Sequence, residues 1–267
     1  MDRMNIAGAV LLIILVAAFI VASAASLLPG ADEAVTENFT LNSSEVSGVR
    51  YVNVNLESNA SGVDLEFTNT SERVYTVETE RSPSTPEALV NHTVNDENLN
   101  LNITMDTASA RILLSNRYIY NITLRTRTGG FRVVLANDSR IENLNLTIQY
   151  AGGGTVLIGN STFRNASFNV NTGGFYIADM HQNLRASGNM STNVTMGGTS
   201  LAISPANILR ITGSVDYGGI AFEPAGFRVI RNSTNYLELE GSGKIGIINT
   251  VGLGGLNVGV FRMPMAP

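Results

Sequence analysis

The sequence contains no cysteine, so neither a disulfide nor a thiolate metal site can form. It has only two histidines, His92 and His181, which lie far apart in the chain and cannot build a zinc site alone. Charged residues make up only 15% of the chain and the net charge is −5. This composition argues against a nucleic-acid-binding protein, because such a protein carries a basic stripe or patch.

The sequence also lacks the motifs of phosphate-binding loops and of calcium-binding β-rolls. No GxxxxGK[ST] motif occurs, and none of the glycine runs opens a helix, so none is a phosphate loop. Calcium-binding β-rolls need an aspartate in each repeat. Asp138, Asp179 and Asp216 instead fall at different places in their repeats. We therefore expect no metal and no cofactor.

One set of charged residues merits a functional interpretation. Some β-helices cleave polysaccharides with carboxylates and a basic residue on one outer face, and Arg125, Arg127, Arg132 and Asp138 are the candidates here. Charges on a sheet surface more commonly serve solvation. We therefore predict no catalytic residue and no enzyme, and keep a carbohydrate-active β-helix as an alternative.

Between Tyr120 and Ile248 the chain repeats a short unit, in which an alternating strand leads into paired glycines and a second strand leads out. A sixth unit is assigned to Tyr236–Ile248. The last glycine of the first five corners falls at Gly130, Gly154, Gly174, Gly198 and Gly219, with spacings of 24, 20, 24 and 21 residues. A period of this length is typical of a solenoid. The glycines fit corners that need a positive φ or a close backbone approach.

Side chains in these units alternate in polarity. Ile122 and Leu124 share one face of a strand, while Thr123 and Arg125 share the other, which indicates one dry and one wet face. Stacked coils would join the dry faces into one core. The sequence therefore predicts an all-β fold, a β-solenoid with coils of about 20–24 residues. A β-sandwich with regular hairpins is the alternative.

The N-terminal segment Ile6–Leu28 is 23 residues long and carries no charge. As a helix it would span about 34 Å, enough to cross a bilayer. We predict an N-terminal membrane anchor or signal helix at residues 1–30, with its N-terminus cytoplasmic because Arg3 precedes it. A polar stalk would follow at residues 31–48, and the solenoid at 49–267. Cleavage as a signal peptide and a pilin-type helix remain alternatives.

N-glycosylation sequons are abundant. Of the 29 asparagines, 14 stand in N-x-S/T triplets, more than composition alone explains. They are Asn38, Asn42, Asn59, Asn69, Asn91, Asn102, Asn121, Asn137, Asn145, Asn160, Asn165, Asn189, Asn193 and Asn232. We predict at least partial glycosylation. Together with the absence of cysteine, the sequons favour an archaeal cell surface.

The C-terminal tract differs from the rest of the chain. Ile245–Phe261 has no charged residue, and no sequon follows Asn232. Since an open end of a solenoid recruits other chains unless it is blocked, we expect this tract to fold over the core or to mediate self-association.

The paired-glycine corners, as at Gly129-Gly130, Gly173-Gly174 and Gly218-Gly219, resemble those of adhesin β-solenoids of the toastrack and head-GIN types. The resemblance covers roughly residues 50–255. It implies a cell-surface or membrane-tethered solenoid without enzyme chemistry.

Three function classes follow from the sequence. The first is a glycosylated, membrane-tethered extracellular solenoid with a structural or adhesive role, whose partners would be the membrane, surface glycans or proteins, and no nucleic acid. The second is a subunit of an extracellular filament, built through the helix or the solenoid ends. The third is the carbohydrate-active β-helix.

Overall fold

The computed structural model describes residues 33–224 and 226–260, and the predicted N-terminal helix lies outside them. Within these residues the chain is almost entirely β-strand, joined into one open sheet. No helix in the described part of the chain is long and apolar enough to cross a membrane. The strands are β1 Val35–Asn42, β2 Tyr51–Thr68, β3 Arg73–Arg81, β4 Leu89–Asn95, β5 Asn98–Ser115, β6 Ile119–Leu135, β7 Ser139–Ile158, β8 Ser161–Asp179, β9 Ser187–Ile203, β10 Ile208–Phe222, β11 Arg228–Ser233, β12 Tyr236–Glu240 and β13 Ile245–Val260, with a short 3-10 helix at Ser43–Glu45.

The eight long strands β5, β2, β6, β7, β8, β9, β13 and β10 are neighbours in that order, and each pairs parallel with the next. Hairpins of a β-sandwich would pair successive strands antiparallel, so the sandwich alternative is wrong. The long strands contain the alternating polarity of the sequence, which suits a half-buried sheet.

Each long strand turns back on itself. Ile119 pairs with Arg140 and Leu135 pairs with Ile158, yet only three residues connect β6 to β7. A straight strand of 17 residues would be about 55 Å long, far more than three residues can bridge. The strand therefore bends near its middle into a first arm and a second arm. The inward side chains of both arms belong to one hydrophobic core.

The bend lies at the glycines, but at the first of each pair. Gly129, Gly173 and Gly197 have φ of +121°, +135° and +133°, a region that favours glycine. Gly174, for which the sequence allowed either a positive φ or a close approach, does not adopt a positive φ. A Cβ on Gly174 would still overlap the carbonyl oxygen of Gly198, so the site excludes larger residues by close approach.

The sixth repeat unit was also misplaced. Tyr236–Glu240 forms β12, which pairs antiparallel with β10 and β11, and the following glycines belong to a connection. The sixth corner is instead Gly254, with φ +142° and paired with Gly197 and Gly218.

Two long strands lie out of chain order. β2 is inserted between β5 and β6, and β13 is inserted between β9 and β10. The tract Ile245–Val260, expected at the end of the stack, therefore has strands of its own chain on both sides. The outermost long strand at that end is β10.

The two ends of the stack are covered differently. At the N-terminal end β4 covers the first arm of β5, and β3 covers its second arm, with β1 outside β3. At the other end β12 and β11 extend only the first arm of β10, up to Ser214. Within the described residues, the second arm of β10 has no strand on its outer side.

Residues 35–42, which the sequence analysis placed in a polar stalk, form β1 and pair with β3. The alternation was obscured because Glu37 occupies a partly buried position between Val35 and Phe39. Arg81, whose side chain is 8% exposed, forms an ion pair with Glu37 at 3.0 Å. This hydrogen bond holds the pKa of Glu37 below its usual value.

Candidate functional site

The outer face of the first arms carries a ladder of asparagines, one from each of five neighbouring strands. Asn53, Asn121, Asn143 and Asn165 each donate through Nδ2 to the Oδ1 of the next member, and the ladder ends at Asn100. The donor–acceptor distances are 2.9–3.3 Å. Asparagine at one position of successive repeats thus forms hydrogen bonds along the stack, because parallel pairing puts these residues side by side.

A second polar row lies two residues further along each strand. Asn55 donates to Asn102 at 3.2 Å, and Thr123 and Asn145 continue the row on β6 and β7. Next to this row is a shallow, open depression of about 410 Å³, whose polar lining includes Asn55, Asn102, Thr123, Glu57 and Arg125. Amides, hydroxyls and one ion pair line this open depression. They offer no enclosed site for a reaction.

Three of the four charged residues proposed for polysaccharide cleavage are held in separate ion pairs, and the fourth, Arg127, is exposed on β6. Arg125 pairs with Glu57 at 3.7 Å on the first arm, and Asp138 pairs with Arg185 at 3.4 Å in a connection. Arg132 lies on the second arm and contacts both Asp64, at 2.8 Å, and Glu66. The structure therefore does not assemble these residues into one site.

The ion pair with Arg132 lowers the pKa of Glu66. The hydrogen bond from Arg132 holds the pKa of Glu66 below its usual value, with Arg111 contributing at 3.6 Å. A catalytic acid needs a raised pKa instead. The pairing is that of a structural surface network.

The two histidines lie apart in the structure as well. The Nδ1 of His92 is 3.0 Å from the hydroxyl oxygen of Tyr75, and His181 lies in an exposed connection where its carbonyl accepts from Asn207. In the part of the chain that the structure describes, no group of three or more metal-ligating side chains occurs.

Sequence reasoning missed a buried polar centre at the end of β8. Asp179 is 2% exposed, and its Oδ2 accepts from the Ser204 amide at 2.6 Å and from Asn207 Nδ2 at 2.8 Å. Its Oδ1 is buried without a hydrogen-bond partner, and burial raises the pKa of Asp179 to about 6. Ser204 and Asn207 belong to the connection that crosses from β9 to β10, so this centre holds the crossover.

The predicted glycosylation sites lie mostly on the solvent side of the sheet. Of the 14 sequon asparagines, 12 are exposed, and Asn121 and Asn160 are half-buried. Asn121 and Asn165 are members of the ladder and donate through Nδ2, the atom that would carry a glycan. Asn145 and Asn193 also lie on the outer face, on central strands, and are exposed.

An apolar ridge at the corners was not apparent from the sequence. Met196, Leu253 and Tyr217 come from three neighbouring strands in direct register and are 43%, 54% and 74% exposed. The ridge ends at β10, at the residue before its corner glycine Gly218. No sequence signal marks it, because the three residues lie far apart in the chain.

Comparisons with known proteins identify the fold. No protein-family model matches the chain, and no curated protein matches it. A candidate cell adhesion protein from Clostridium sporogenes matches 85% of this chain and 100% of its own, with a TM-score of 0.54 and 14% identity. The chain therefore shares the fold of a candidate adhesin. At this identity the likeness extends to the fold alone, and at that level it confirms the resemblance drawn from the glycine corners.

Weaker matches have TM-scores below 0.5. A candidate adhesin from Bacteroides fragilis matches 85% of this chain and 97% of its own, with a TM-score of 0.30 and 11% identity. A candidate lipid-binding protein from Parabacteroides distasonis matches 86% and 97%, with a TM-score of 0.27 and 11% identity.

Proposed function

We propose that this protein is a non-enzymatic, N-glycosylated β-solenoid, tethered outside the cell membrane by the segment Ile6–Leu28, with a structural or adhesive role. The observation that carries the proposal is the outer face of the first arms. Its asparagine ladder and the neighbouring row of amides and hydroxyls form a polar surface with the spacing of the strands. Such a surface suits contact with surface glycans or proteins. The fold shared with a candidate adhesin supports the same role.

Glycosylation is expected to depend on the position in the sheet. Exposed asparagines outside the ladder, such as Asn145 and Asn193, are the expected carriers. At Asn121 and Asn165 a glycan would replace a hydrogen of the donating amide, so we expect lower occupancy there. The sequon density and the absence of cysteine favour an archaeal cell surface as the setting.

Two measurements on the full chain in a host with N-glycosylation test this proposal. Protease treatment of intact cells should release fragments of residues 33–260, and the intact mass should exceed the polypeptide mass by the weight of several glycans. Protection of this region in intact cells, with digestion only after lysis, would contradict the surface location. An intact mass equal to that of the polypeptide would contradict glycosylation.

A filament subunit is the second candidate, favoured by the second arm of β10. Ile220 occupies the inward row of Phe131, Phe175 and Leu256, which are 2–3% exposed, yet Ile220 is only half-buried. The occupant that we propose for this uncovered edge is a second copy of the chain. Electron microscopy of sheared cell surfaces should then show fibres that contain this protein. Tyr217→Ser, at the end of the ridge, should reduce their number.

A further inference from the structure

Strand β4 is an edge strand in the described part of the chain. It pairs with the first arm of β5 on one side and with no strand on the other. It also exposes apolar side chains, since Leu89 is 58% exposed and Val94 is 43% exposed. An unpaired strand edge that also exposes apolar side chains is a template on which another chain can add a strand.

Two devices that commonly protect an edge, proline and charged side chains, are missing from β4. Its sequence, LVNHTVN, contains no proline, no lysine and no other charged residue. The Nδ1 atom of His92 is within hydrogen-bond distance, 3.0 Å, of the hydroxyl oxygen of Tyr75. Covalent modification of a residue on this strand can supply such protection.

Asn91 supplies the modification site, in the sequon Asn91-His92-Thr93. Asn91 is exposed and pairs in register with Asn102, which is exposed on the same outer face. A sugar attached to Asn91 would stand beside the edge, where an incoming strand has to approach to about 4.8 Å. The outer strands β1 and β11 likewise carry exposed sequon asparagines, Asn38 and Asn232.

We propose that the glycan on Asn91 shields the β4 edge and prevents it from pairing with β4 of a second copy of this chain. The proposal rests on the proposed glycosylation and assigns it a specific role. Without the glycan, two β4 strands can meet antiparallel around a two-fold axis, which is a self-complementary contact. The carbohydrate thus limits assembly at this end of the stack.

The test compares two variants of the full chain, purified from a glycosylating host. Thr93→Ala removes the Asn91 sequon and keeps Asn91 itself. The matched control, Thr195→Ala, removes the sequon of Asn193 on β9, which has strands on both sides. Site-resolved mass spectrometry gives the occupancy, and light scattering after size-exclusion chromatography gives the assembly mass. We expect Thr93→Ala to show at least twice the parent mass, increasing with concentration, and Thr195→Ala to match the parent.

A rescue variant identifies the surface involved. Adding Val94→Lys to Thr93→Ala places a charge on the edge and should restore the parent mass. An occupied Asn91 whose removal leaves the mass unchanged would overturn the shield while leaving the proposed glycosylation intact, and equal assembly by Thr195→Ala would overturn it too. An unoccupied Asn91 in a parent glycosylated elsewhere would also overturn the shield alone. A parent without any glycan would contradict the proposed function itself.

Discussion

A Cβ atom built on Gly152 would overlap the backbone carbonyl oxygen of Gly129, its partner on the preceding strand. The same holds for Gly173 against Gly152 and for Gly197 against Gly173. Each corner glycine therefore allows the next strand to pack directly on it, and a side chain at one corner would push two strands apart.

We expect Gly173→Ala to lower the free energy of unfolding by about 3 kcal/mol or more, because it combines a strained φ with overlap against fixed backbone. Urea unfolding followed by circular dichroism measures the loss. Gly62→Ala is the control, since Gly62 lies at the adjacent corner position of β2 with open space around it and no positive φ. Equal stability of the two variants would contradict the corner assignment.

Leu146 and Thr147 point to opposite faces of β7, and Leu146 is fully buried. Leu146→Asp would bury an unpaired carboxylate and should cost about 4 kcal/mol or more. Thr147→Asp should cost less than about 1 kcal/mol, because residue 147 pairs in register with exposed Arg125. Thermal unfolding of both variants checks this difference, and similar losses would show that the two faces are assigned wrongly.

The pH dependence of stability should report Asp179. Its pKa is raised from 3.8 to about 6, so the folded state holds the proton more tightly than the unfolded chain. Stability contributed by the protonated form is present below pH 4 and is lost as the pH rises through about 6. Asp179→Asn removes this titration and keeps an oxygen acceptor for Ser204 and Asn207.

The difference in unfolding free energy, Asp179→Asn minus parent, should therefore increase by about 2 kcal/mol between pH 4 and pH 7. Urea unfolding at a series of pH values gives this difference directly. Glu37 and Glu66 titrate in both proteins, so their contributions cancel. A constant difference over this range would exclude an elevated pKa for Asp179.

Asn143 connects the asparagine ladder, since it donates to Asn121 and accepts from Asn165. Asn143→Ala breaks both hydrogen bonds and should cost about 1–2 kcal/mol. Asn171→Ala, at an exposed position of β8 outside the ladder, should cost less than about 0.5 kcal/mol. Chemical denaturation of the unglycosylated proteins separates the two, and an equal cost would mean that the ladder contributes nothing to stability.

The sequence predicted the faces of the strands well. The inward positions of Ile122 and Leu124 followed from alternation alone, because one side of the sheet faces the hydrophobic core and the other faces solvent. The first five corners were located to within two residues, whereas the sixth was placed in the wrong segment. The choice between Gly173 and Gly174 depends on the backbone of the neighbouring strands, which a single repeat does not reveal.

Other features depended on contacts between distant residues. The position of β1 was hidden by Glu37, whose partner Arg81 lies in another strand. At Asn249 the alternation contains a polar residue that is buried and donates to Thr192 of β9. The insertion of β13 between β9 and β10 has no local sequence signal either. The strand order depends on how well the side chains of two whole strands pack side by side.

The asparagine ladder and its sequons illustrate the same limit for the site. The sequons could be located in the sequence. The sequence does not distinguish an asparagine that hydrogen-bonds along the stack from one that faces solvent. Asn121 and Asn145 differ only in their neighbours, which are Asn53 and Asn143 for the first and Thr123 and Ser167 for the second.

The insertion of β13 has a consequence for synthesis of the protein. β9 and β10 leave the ribosome first, and each has an unpaired edge until β13 follows, after β11 and β12. The stack therefore cannot grow at this end by adding each strand in the order of synthesis. Strand β10 can take its final place only when β13 has paired with β9. The contacts between β9 and β13 join residues 57 positions apart, as between Thr192 and Asn249, and those between β10 and β13 join residues 36 or 37 positions apart. Contacts of this separation form slowly, so folding of this end is expected to be completed late, after the central strands have paired.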